Sequence, residues 1–224
     1  MIVDVISDLH GFYPKLDGGD LLIVAGDLTG RDDEKEYFEF HDWLERQDYK
    51  RMIVIAGNHD NWIEKHGTIG FPDFDGKKME YLCDFGTEFE GLKIWGSPWS
   101  KTFPGMNPHC KAFTKDTDEE LAEKWALIPD DIDILITHSP PYGVLDMVRR
   151  YTYPATTSEY VGSWSLMAAL ERVKPRIHVF GHIHEHGGQQ VLLKHDGPNT
   201  ICVNASYVNE RYQPANKPVR IILE

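Results

Sequence analysis

The chain has 224 residues, which suits one large domain, and a formal net charge of −13 from 36 acidic and 23 basic side chains. A negative field of this size repels polyanions at long range, which argues against a general nucleic-acid-binding module and leaves nucleic acid only as a substrate. A small phosphorylated substrate fits, because bound divalent cations reverse the local sign of the field.

The first part of the chain predicts strands that alternate with a helix. Short runs of β-branched and other apolar residues indicate strands at residues 2–7, 21–25 and 53–56. Asp32 or Asp33 caps a predicted helix that ends near residue 46. A strand, a helix and a strand within this length predict a βαβ unit and a largely parallel sheet.

Two further helices and three irregular stretches are predicted. Thr117 begins a capping box, T-D-E-E, for a helix that ends near residue 127, and residues 164–173 predict a second helix. Residues 97–115 combine proline, glycine, aromatic and polar residues without a period, which is typical of a long functional loop. Residues 61–74 predict a short helix and a loop, and residues 142–160 predict irregular structure.

The rest of the chain predicts short strands. They lie at residues 80–83, 87–89, 93–95, 132–137, 176–180, 189–194, 200–203 and 219–223. The last three of these strands predict antiparallel pairing. We see no internal repeat or linker, so the elements together predict one domain, residues 1–224, built as a sandwich of two mixed sheets flanked by helices.

Cysteine usage predicts a reducing compartment, and hydropathy predicts a protein without a membrane span. The three cysteines, Cys83, Cys110 and Cys202, are odd in number, far apart and in no C-x-x-C spacing. The first residues enter a strand and reach a charge at Asp4, so we expect no secretory leader. No apolar stretch approaches the ~20 residues that cross a bilayer. We therefore expect a soluble, cytoplasmic protein without a membrane partner, and the sequence leaves monomer or homodimer open.

Metal-capable side chains follow five of the predicted strands. They are Asp8, His10, Asp27, Asn58, His138, His182 and His184. In the D-x-H and H-x-H pairs, the i, i+2 spacing turns both side chains to the same side of an extended backbone. Ligands of α/β sheets bind outside the carboxyl ends of the strands, so we expect these side chains to meet. Imidazole and carboxylate together suit Mn, Fe, Zn, Co or Ni.

Seven such ligands are too many for one ion, but they suffice for two when one carboxylate bridges them. Two ions lower the pKa of a shared water and clamp both oxygens of an in-line displacement at phosphorus. Each motif alone has a plainer interpretation, because a single Asp or Asn after a strand is commonly a turn residue or a helix cap. Their joint occurrence, each after an apolar run, favours a bimetallic site.

The same motifs resemble the full signature of the calcineurin-like metallophosphoesterases. They are D-x-H at residues 8–10, G-D at 26–27, G-N-H-D at 57–60, H at 138 and G-H-x-H at 181–184. Further stretches resemble the metallophosphoesterase-domain-containing subgroup, which is similar to the class III cyclic nucleotide phosphodiesterases. They include G-S-P-W at 96–99, P-P at 140–141 and V-N-A-S at 203–206. The resemblance implies an α/β (α+β) metallophosphoesterase fold, a four-layer αββα sandwich.

The resemblance also implies two divalent metal ions and their ligands. One ion would be held by Asp8, His10, Asp27 and His184. The other would be held by Asp27, Asn58, His138 and His182, with Asp27 as the bridge. Manganese is the ion that we expect to support activity in vitro.

Two residues beside the ligands are candidates for catalysis. The resemblance implies that His59 stays off the metals and stabilises the transition state or protonates the leaving oxygen. General-acid help is useful at such a place. Asp60 could orient His59 or, equally well, cap the helix that follows.

Substrate contacts are predicted with less support from the sequence. Candidates are Asn61, Ser139 and Tyr142, for the phosphate or the leaving group, and His186, for which a solvated surface position is the plainer interpretation. Aromatic side chains around the long loop either stack on a base or simply pack over the sheet edge. They are Trp95, Trp99, Phe103, His109 and Phe113.

Three functions follow from these residues. The first is a two-metal phosphodiesterase that hydrolyses small phosphodiesters, above all 2′,3′- or 3′,5′-cyclic nucleotides, by in-line attack of a metal-bridging hydroxide. The second is a nuclease or nucleic-acid-end phosphatase of the same superfamily. The third is a nucleotide-binding regulatory protein with low turnover. The motifs do not decide between diester and monoester, nor do they identify the base.

Overall fold

The computed structural model describes residues 1–67, 78–103, 105–152 and 155–223. Its strands are β1 (Ile2–Ile6), β2 (Gly19–Ala25), β3 (Tyr49–Ile55), β4 (Met79–Tyr81), β5 (Phe85–Phe89), β6 (Leu92–Ser97), β7 (Ser100–Lys101), β8 (Thr114–Lys115), β9 (Ile134–Thr137), β10 (Met147–Thr152), β11 (Ala155–Tyr160), β12 (Ile177–Phe180), β13 (Gln189–Leu193), β14 (Thr200–Asn204) and β15 (Val219–Ile222). Its α-helices are α1 (Glu34–Glu45), α2 (Asn61–His66), α3 (Asp118–Trp125) and α4 (Trp164–Val173). A 3-10 helix covers His184–His186.

Two large mixed sheets form the centre of the fold. The first has the strand order β15-β1-β2-β3-β4, in which β1 to β4 are parallel and β15 is antiparallel to β1. The second has the order β13-β14-β12-β9-β6-β5, with a parallel centre and an antiparallel strand at each edge. The parallel strands of each sheet therefore deliver their carboxyl ends to one rim.

The two sheets pack face to face through alternating apolar side chains. Val5 and Ile23 of the first sheet belong to one buried cluster with Ile136 and Val179 of the second. Ile6, the next residue along β1, points the other way and joins the cluster beneath α1. Strand side chains alternate between the two faces, so a single β-branched run fills two layers.

Helices cover the outer face of each sheet. Phe40 and Leu44 of α1 pack against the first sheet. Trp125 of α3 and Leu170 of α4 pack against Leu135 on the second sheet. The order of layers is thus helix, sheet, sheet, helix, which confirms the predicted αββα sandwich.

Local signals located the helix starts correctly. The Asp33 side chain accepts a hydrogen bond from the Glu36 backbone N–H at 2.9 Å and begins α1. Thr117 and Glu120 form the predicted capping box of α3. In the part of the chain that the structure describes, no helix is both long enough and apolar enough to span a bilayer.

One sequence prediction about secondary structure is wrong, and another, the antiparallel pairing of the last three strands, is confirmed only in part. The stretch predicted as irregular contains β10 and β11, which pair as an antiparallel hairpin. The described side chains of this hairpin are largely exposed, so it lacks the apolar alternation by which a strand is recognised. Among the last three strands, β14 is antiparallel to β13 but parallel to β12. The predicted loop at residues 68–74 lies outside the described residues.

Candidate metal centre

The seven predicted ligands all follow strands that end at the same rim. Asp8 and His10 follow β1, Asp27 follows β2 and Asn58 follows β3, all in the first sheet. The second sheet supplies the others, which follow β9 and β12. These are His138, His182 and His184. The centre thus lies where the rims of the two sheets meet.

Four of these residues have a left-handed backbone. The φ angles are 52° at Asp8, 44° at His10, 52° at Asp27 and 67° at His182. Such a conformation costs a non-glycine residue about 1–3 kcal/mol and persists only where the surroundings enforce it. Backbone hydrogen bonds do so here, from the Asp8 N–H to the Gly26 carbonyl at 2.9 Å and from the His10 N–H to the Asp27 carbonyl at 3.1 Å. Strain concentrated at these positions is typical of a functional site.

One half of the centre is built by Asp8, His10 and His184. The His184 Nε2 lies 3.2 Å from Asp8 Oδ1 and 3.4 Å from His10 Nε2. The His10 Nε2 lies 3.6 Å from Asp27 Oδ2. Donor atoms around one divalent ion, each about 2.0–2.2 Å from it, have mutual distances of this order.

The other half lies on the opposite side of Asp27. The His138 Nε2 is 3.4 Å from Asp27 Oδ1 and 3.1 Å from Asn58 Oδ1. The His182 ring packs edge-on against His138 with the centroids 5.1 Å apart. The two oxygens of Asp27 therefore face different halves of the centre, as a bridging carboxylate requires.

Neighbouring groups aim these ligands at the centre. The Asn58 Nδ2 donates to the Cys110 carbonyl at 3.1 Å, which leaves Oδ1 facing inward. The Nδ1 atoms of His138 and His184 lie 3.0 Å and 3.2 Å from backbone carbonyls, which turns each Nε2 toward the centre. Nitrogen and oxygen donors directed inward in this way fit two first-row divalent ions.

Burial and close charges shift the pKa values of these ligands. Burial alone would raise the pKa of Asp8, but the hydrogen bond and charge of His184 hold it well below its usual range. Burial likewise opposes ionisation of Asp27, and the charges of His138 and His59 lower its pKa. Burial lowers the pKa of His10 to about 4 and that of His182 to about 3, so both rings are neutral at pH 7. Burial also disfavours the charged form of His138 and His184, but the neighbouring carboxylates of Asp27 and Asp8 raise the pKa of His138 to about 9 and raise that of His184, so an ion that binds there displaces a proton. Ionised carboxylates and neutral imidazoles are the forms that coordinate metals.

His59 lies beside this centre. Its Nε2 is 3.9 Å from Asp27 Oδ2, and its ring packs edge-on against His10 with the centroids 4.7 Å apart. Its backbone N–H donates to Asp27 Oδ1 at 2.9 Å. Its Nδ1 lies 3.4 Å from the Sγ atom of Cys110. The ring is thus held at Nδ1, with Nε2 toward Asp27.

The Asp60 carboxylate does not lie where a hydrogen-bond partner of the His59 ring would lie. Its carboxylate accepts hydrogen bonds from the Gly57 N–H at 2.7 Å, the Leu28 N–H at 3.1 Å and the Tyr37 hydroxyl at 3.0 Å. Among the described residues it makes no contact with the His59 ring, and its side chain forms no cap of α2. Burial raises the pKa of Asp60 to about 8. Asp60 therefore braces the turn that carries Asn58 and His59.

The expected substrate contacts divide into two groups. Ser139 and Tyr142 line a cavity of about 750 Å³ that opens beside Asp27, Asn58 and His59. Asn61 and His186 do not line it. The Asn61 Nδ2 donates to Asp32 and to the His109 carbonyl, and the His186 Nε2 lies 3.1 Å from the Met147 carbonyl. Both side chains contact loops at the edge of the site, and their expected role in substrate binding stays a prediction.

The aromatic residues of the long loop also have different roles. Trp99 and Phe113 pack edge-on with their centroids 5.8 Å apart, and the Trp99 Nε1 donates to Asp84. Trp95 packs against the cluster beneath α3 and α4. Phe103, which is 43% exposed, lines the cavity. Of these aromatics, Phe103 is the one that reaches the candidate site.

Sequence reasoning missed four residues around the centre. The Ser206 hydroxyl donates to Asp8 Oδ2 at 2.7 Å, and the Asn209 carbonyl orients His184. The Tyr212 ring lies 4.8 Å from the His10 ring, and Cys110 contacts both Asn58 and His59. The only sequence signal for any of them is the V-N-A-S stretch that ends at Ser206. The others lie far along the chain from the residues that they contact.

Comparison with known proteins identifies the family that the sequence motifs resemble. Residues 1–186 match the family model described as calcineurin-like phosphoesterase. Metallophosphoesterase domain-containing protein 1 of Homo sapiens is 38% identical over 242 residues, which span 97% of this chain and 69% of that protein. UPF0046 protein C25E10.12 of Caenorhabditis elegans is 32% identical over 232 residues, which span 97% of this chain and 78% of that protein. The crystal structure of TT1561 of Thermus thermophilus shares the fold, with a TM-score of 0.59 and 14% identity over 92% of this chain and 90% of that chain.

Proposed function

This chain belongs to the calcineurin-like phosphoesterase family, and we propose that it hydrolyses small phosphodiesters with two divalent metal ions, cyclic nucleotides being the favoured substrates. The observation that carries the proposal is the position of Asp27. One of its oxygens faces His10 and the other faces His138, with the His59 Nε2 3.9 Å from the carboxylate. This arrangement serves a reaction that needs two cations and a proton donor around one phosphorus.

The chain's own residues hold and orient the reacting groups. Asp8, His10 and His184 would hold one ion, Asn58, His138 and His182 the other, and Asp27 would bridge them. Two divalent ions, when bound, supply Lewis-acid stabilisation of the phosphoryl oxygens and lower the pKa of a nearby water. Water attacks phosphorus and releases one proton to solvent, the P–O bond to the leaving oxygen breaks, and that oxygen takes a proton.

His59 is the residue placed to supply this proton. Its Nε2 faces Asp27 from the cavity side, and its side chain is 18% exposed, so a substrate can reach it. As an imidazolium, His59 carries a second proton on Nδ1 that can donate to the Cys110 sulfur, so loss of the Nε2 proton leaves a neutral imidazole. A general acid in this position contributes typically 10²–10⁴-fold to the rate.

The surroundings of the centre favour a small substrate. The cavity of about 750 Å³ is within the range of small-molecule sites, about 300–1,000 Å³. The net charge of −13 disfavours a polyanion away from the ions. Aromatic side chains on the cavity wall, among them Tyr142 and Tyr160, suit a substrate with a planar base. These features together favour a cyclic nucleotide over a nucleic-acid duplex.

A substrate screen with Mn²⁺ tests the proposal. The substrates are bis-p-nitrophenyl phosphate, 2′,3′- and 3′,5′-cyclic mononucleotides, p-nitrophenyl phosphate and a labelled single-stranded oligonucleotide. We expect diester hydrolysis with cyclic nucleotides preferred, and loss of activity in Asp27→Ala. Faster cleavage of the oligonucleotide would favour a nuclease, and hydrolysis of the monoester alone a phosphatase. Full metal occupancy with tight nucleotide binding and no turnover would favour a regulatory protein.

A further inference from the structure

One wall of the cavity carries a stack of aromatic side chains, and none of them is a predicted metal ligand. The rings of Tyr142 and Trp164 are stacked, with their centroids 3.4 Å apart and an interplanar angle of 19°. The Tyr160 ring lies beside them, 5.7 Å from Tyr142. All three residues line the same cavity as Asp27 and His59. The stack is therefore continuous with the space in which phosphorus would react.

The stack is exposed although its members are large and apolar. Trp164 is 61% exposed and Tyr160 is 54% exposed. Tyr142 covers one face of the Trp164 indole, so the exposed area is on the other face and the edge. Most Trp side chains of folded proteins bury far more of their surface. An open indole face inside a cavity is a site for a planar ligand rather than part of the packed core.

The backbone around the stack is held firmly. Ser163 caps α4 by accepting a hydrogen bond from the Leu166 N–H, and its hydroxyl also donates to Asp118. The Tyr142 N–H donates to the Ser163 carbonyl at 3.0 Å, which couples the two aromatic residues through their backbones. Because both rings have fixed positions, a ligand that stacks on them loses little energy in ordering the wall.

We propose that Trp164, backed by Tyr142 and flanked by Tyr160, forms a nucleobase subsite that selects nucleotides among phosphodiesters. The inference rests on the proposed function, because it places the base of the substrate while the phosphate occupies the metal centre. Tyr142 lies four residues after His138, so the base and the phosphate would be adjacent along one short segment. Stacking accepts any base, so the subsite distinguishes nucleotides from base-free phosphates more than it distinguishes one base from another.

Binding measurements on the metal-loaded full chain test the subsite. We would measure dissociation constants of adenosine 5′-monophosphate and of ribose 5-phosphate by calorimetry. For the original chain we expect the nucleotide to bind more tightly, because only it has a base. In Trp164→Ala we expect about 10-fold weaker nucleotide binding and unchanged ribose 5-phosphate binding, since stacking on one aromatic ring is typically worth 10-fold or more.

Matched variants separate stacking from folding. Trp164 is the first residue of α4, so its substitution affects the helix as well as the stack. Tyr160→Ala, on the hairpin strand β11, is therefore the second variant. It should weaken the binding of the nucleotide and leave the binding of ribose 5-phosphate unchanged. Phe85→Ala removes an aromatic that is 61% exposed on β5, outside the cavity lining, and should change neither constant. Equal binding of the two ligands by the original chain, or equal loss of both in Trp164→Ala and Tyr160→Ala, would overturn the subsite. Base-dependent binding without any phosphodiester hydrolysis would instead support the subsite and reject the proposed function.

Discussion

The Sγ atom of Cys110 lies 3.4 Å from Nδ1 of His59, the imidazole whose Nε2 faces Asp27. Burial, helped by the negative charge of Asp27, raises the pKa of the Cys110 thiol to about 11, so it is protonated at pH 7. The thiol sulfur can accept a hydrogen bond from the Nδ1–H of the His59 imidazolium, and so holds the ring with its other proton on Nε2. Cys110 is therefore a positioning residue for His59, and its backbone carbonyl orients Asn58 at the same time.

Removal of the thiol should lower the catalytic rate without loss of metal. We expect Cys110→Ala to reduce kcat about 10-fold, the kinetic equivalent of one hydrogen bond of about 1.4 kcal/mol. Cys110→Ser keeps an acceptor for Nδ1–H and should retain most of the rate. Kinetics on bis-p-nitrophenyl phosphate, together with metal analysis by mass spectrometry, measures both quantities. Cys83→Ala, at an exposed cysteine, is the control, and equal rates in Cys110→Ala and Cys110→Ser would contradict the proposed role.

Asn58 and His59 are neighbours with separate tasks, and substitution should separate them. Asn58→Ala removes an oxygen that lies 3.1 Å from His138 Nε2, so the metal content should fall from two ions toward one. His59→Ala removes a proton donor, so both ions should stay while kcat falls by about 10²–10⁴-fold. Metal analysis after dialysis and a kcat measurement test the pair. If His59→Ala lost an ion, His59 would itself be a ligand.

Asp60 should contribute to stability rather than to catalysis. Its carboxylate accepts from two buried backbone N–H groups, those of Gly57 and Leu28. Asp60→Ala leaves both donors without a partner, and we expect a loss of about 2–4 kcal/mol in the free energy of unfolding, measured with urea. Asp60→Asn keeps one acceptor and should lose less. A large fall in kcat in Asp60→Asn with unchanged stability would show instead that Asp60 acts on His59.

His178 should make the fold sensitive to acid. The ring is completely buried, and its Nε2 lies 2.8 Å from the Thr137 hydroxyl. Burial lowers the pKa of His178 to about 3, whereas an unfolded histidine titrates at about 6.5. Between these values the unfolded chain binds a proton that the folded chain does not, so the free energy of unfolding falls as the pH is lowered. The slope from this one group is about 1.4 kcal/mol per pH unit.

Replacement of His178 isolates this contribution. Between pH 7 and pH 5, the loss of unfolding free energy in His178→Gln should be about 2 kcal/mol smaller than in the original chain. Urea unfolding at both pH values measures the difference. An identical pH dependence in His178→Gln and the original chain would show that the His178 ring is not kept neutral by burial.

Local patterns in the sequence determined the layers of the fold and the residues that converge on the centre. A run such as residues 53–56 forms a strand because its β-branched side chains can be buried on both faces, and the capping box at Thr117 begins a helix through bonds between residues three apart. Asp8, Asp27, Asn58 and His138 follow such strands directly. Because parallel strands end at a common rim, their order along the chain was enough to predict that they meet.

The tertiary structure decided which groups aim and surround those ligands. Ser206 contacts Asp8 across 198 residues, and Cys110 contacts His59 across 51, so no local period relates them. Asp60, although next to His59, turns into the core because two backbone donors and a buried hydroxyl are there. Such pairings depend on how distant segments pack, and the free energy of burying a polar group depends on partners that only the folded chain brings together.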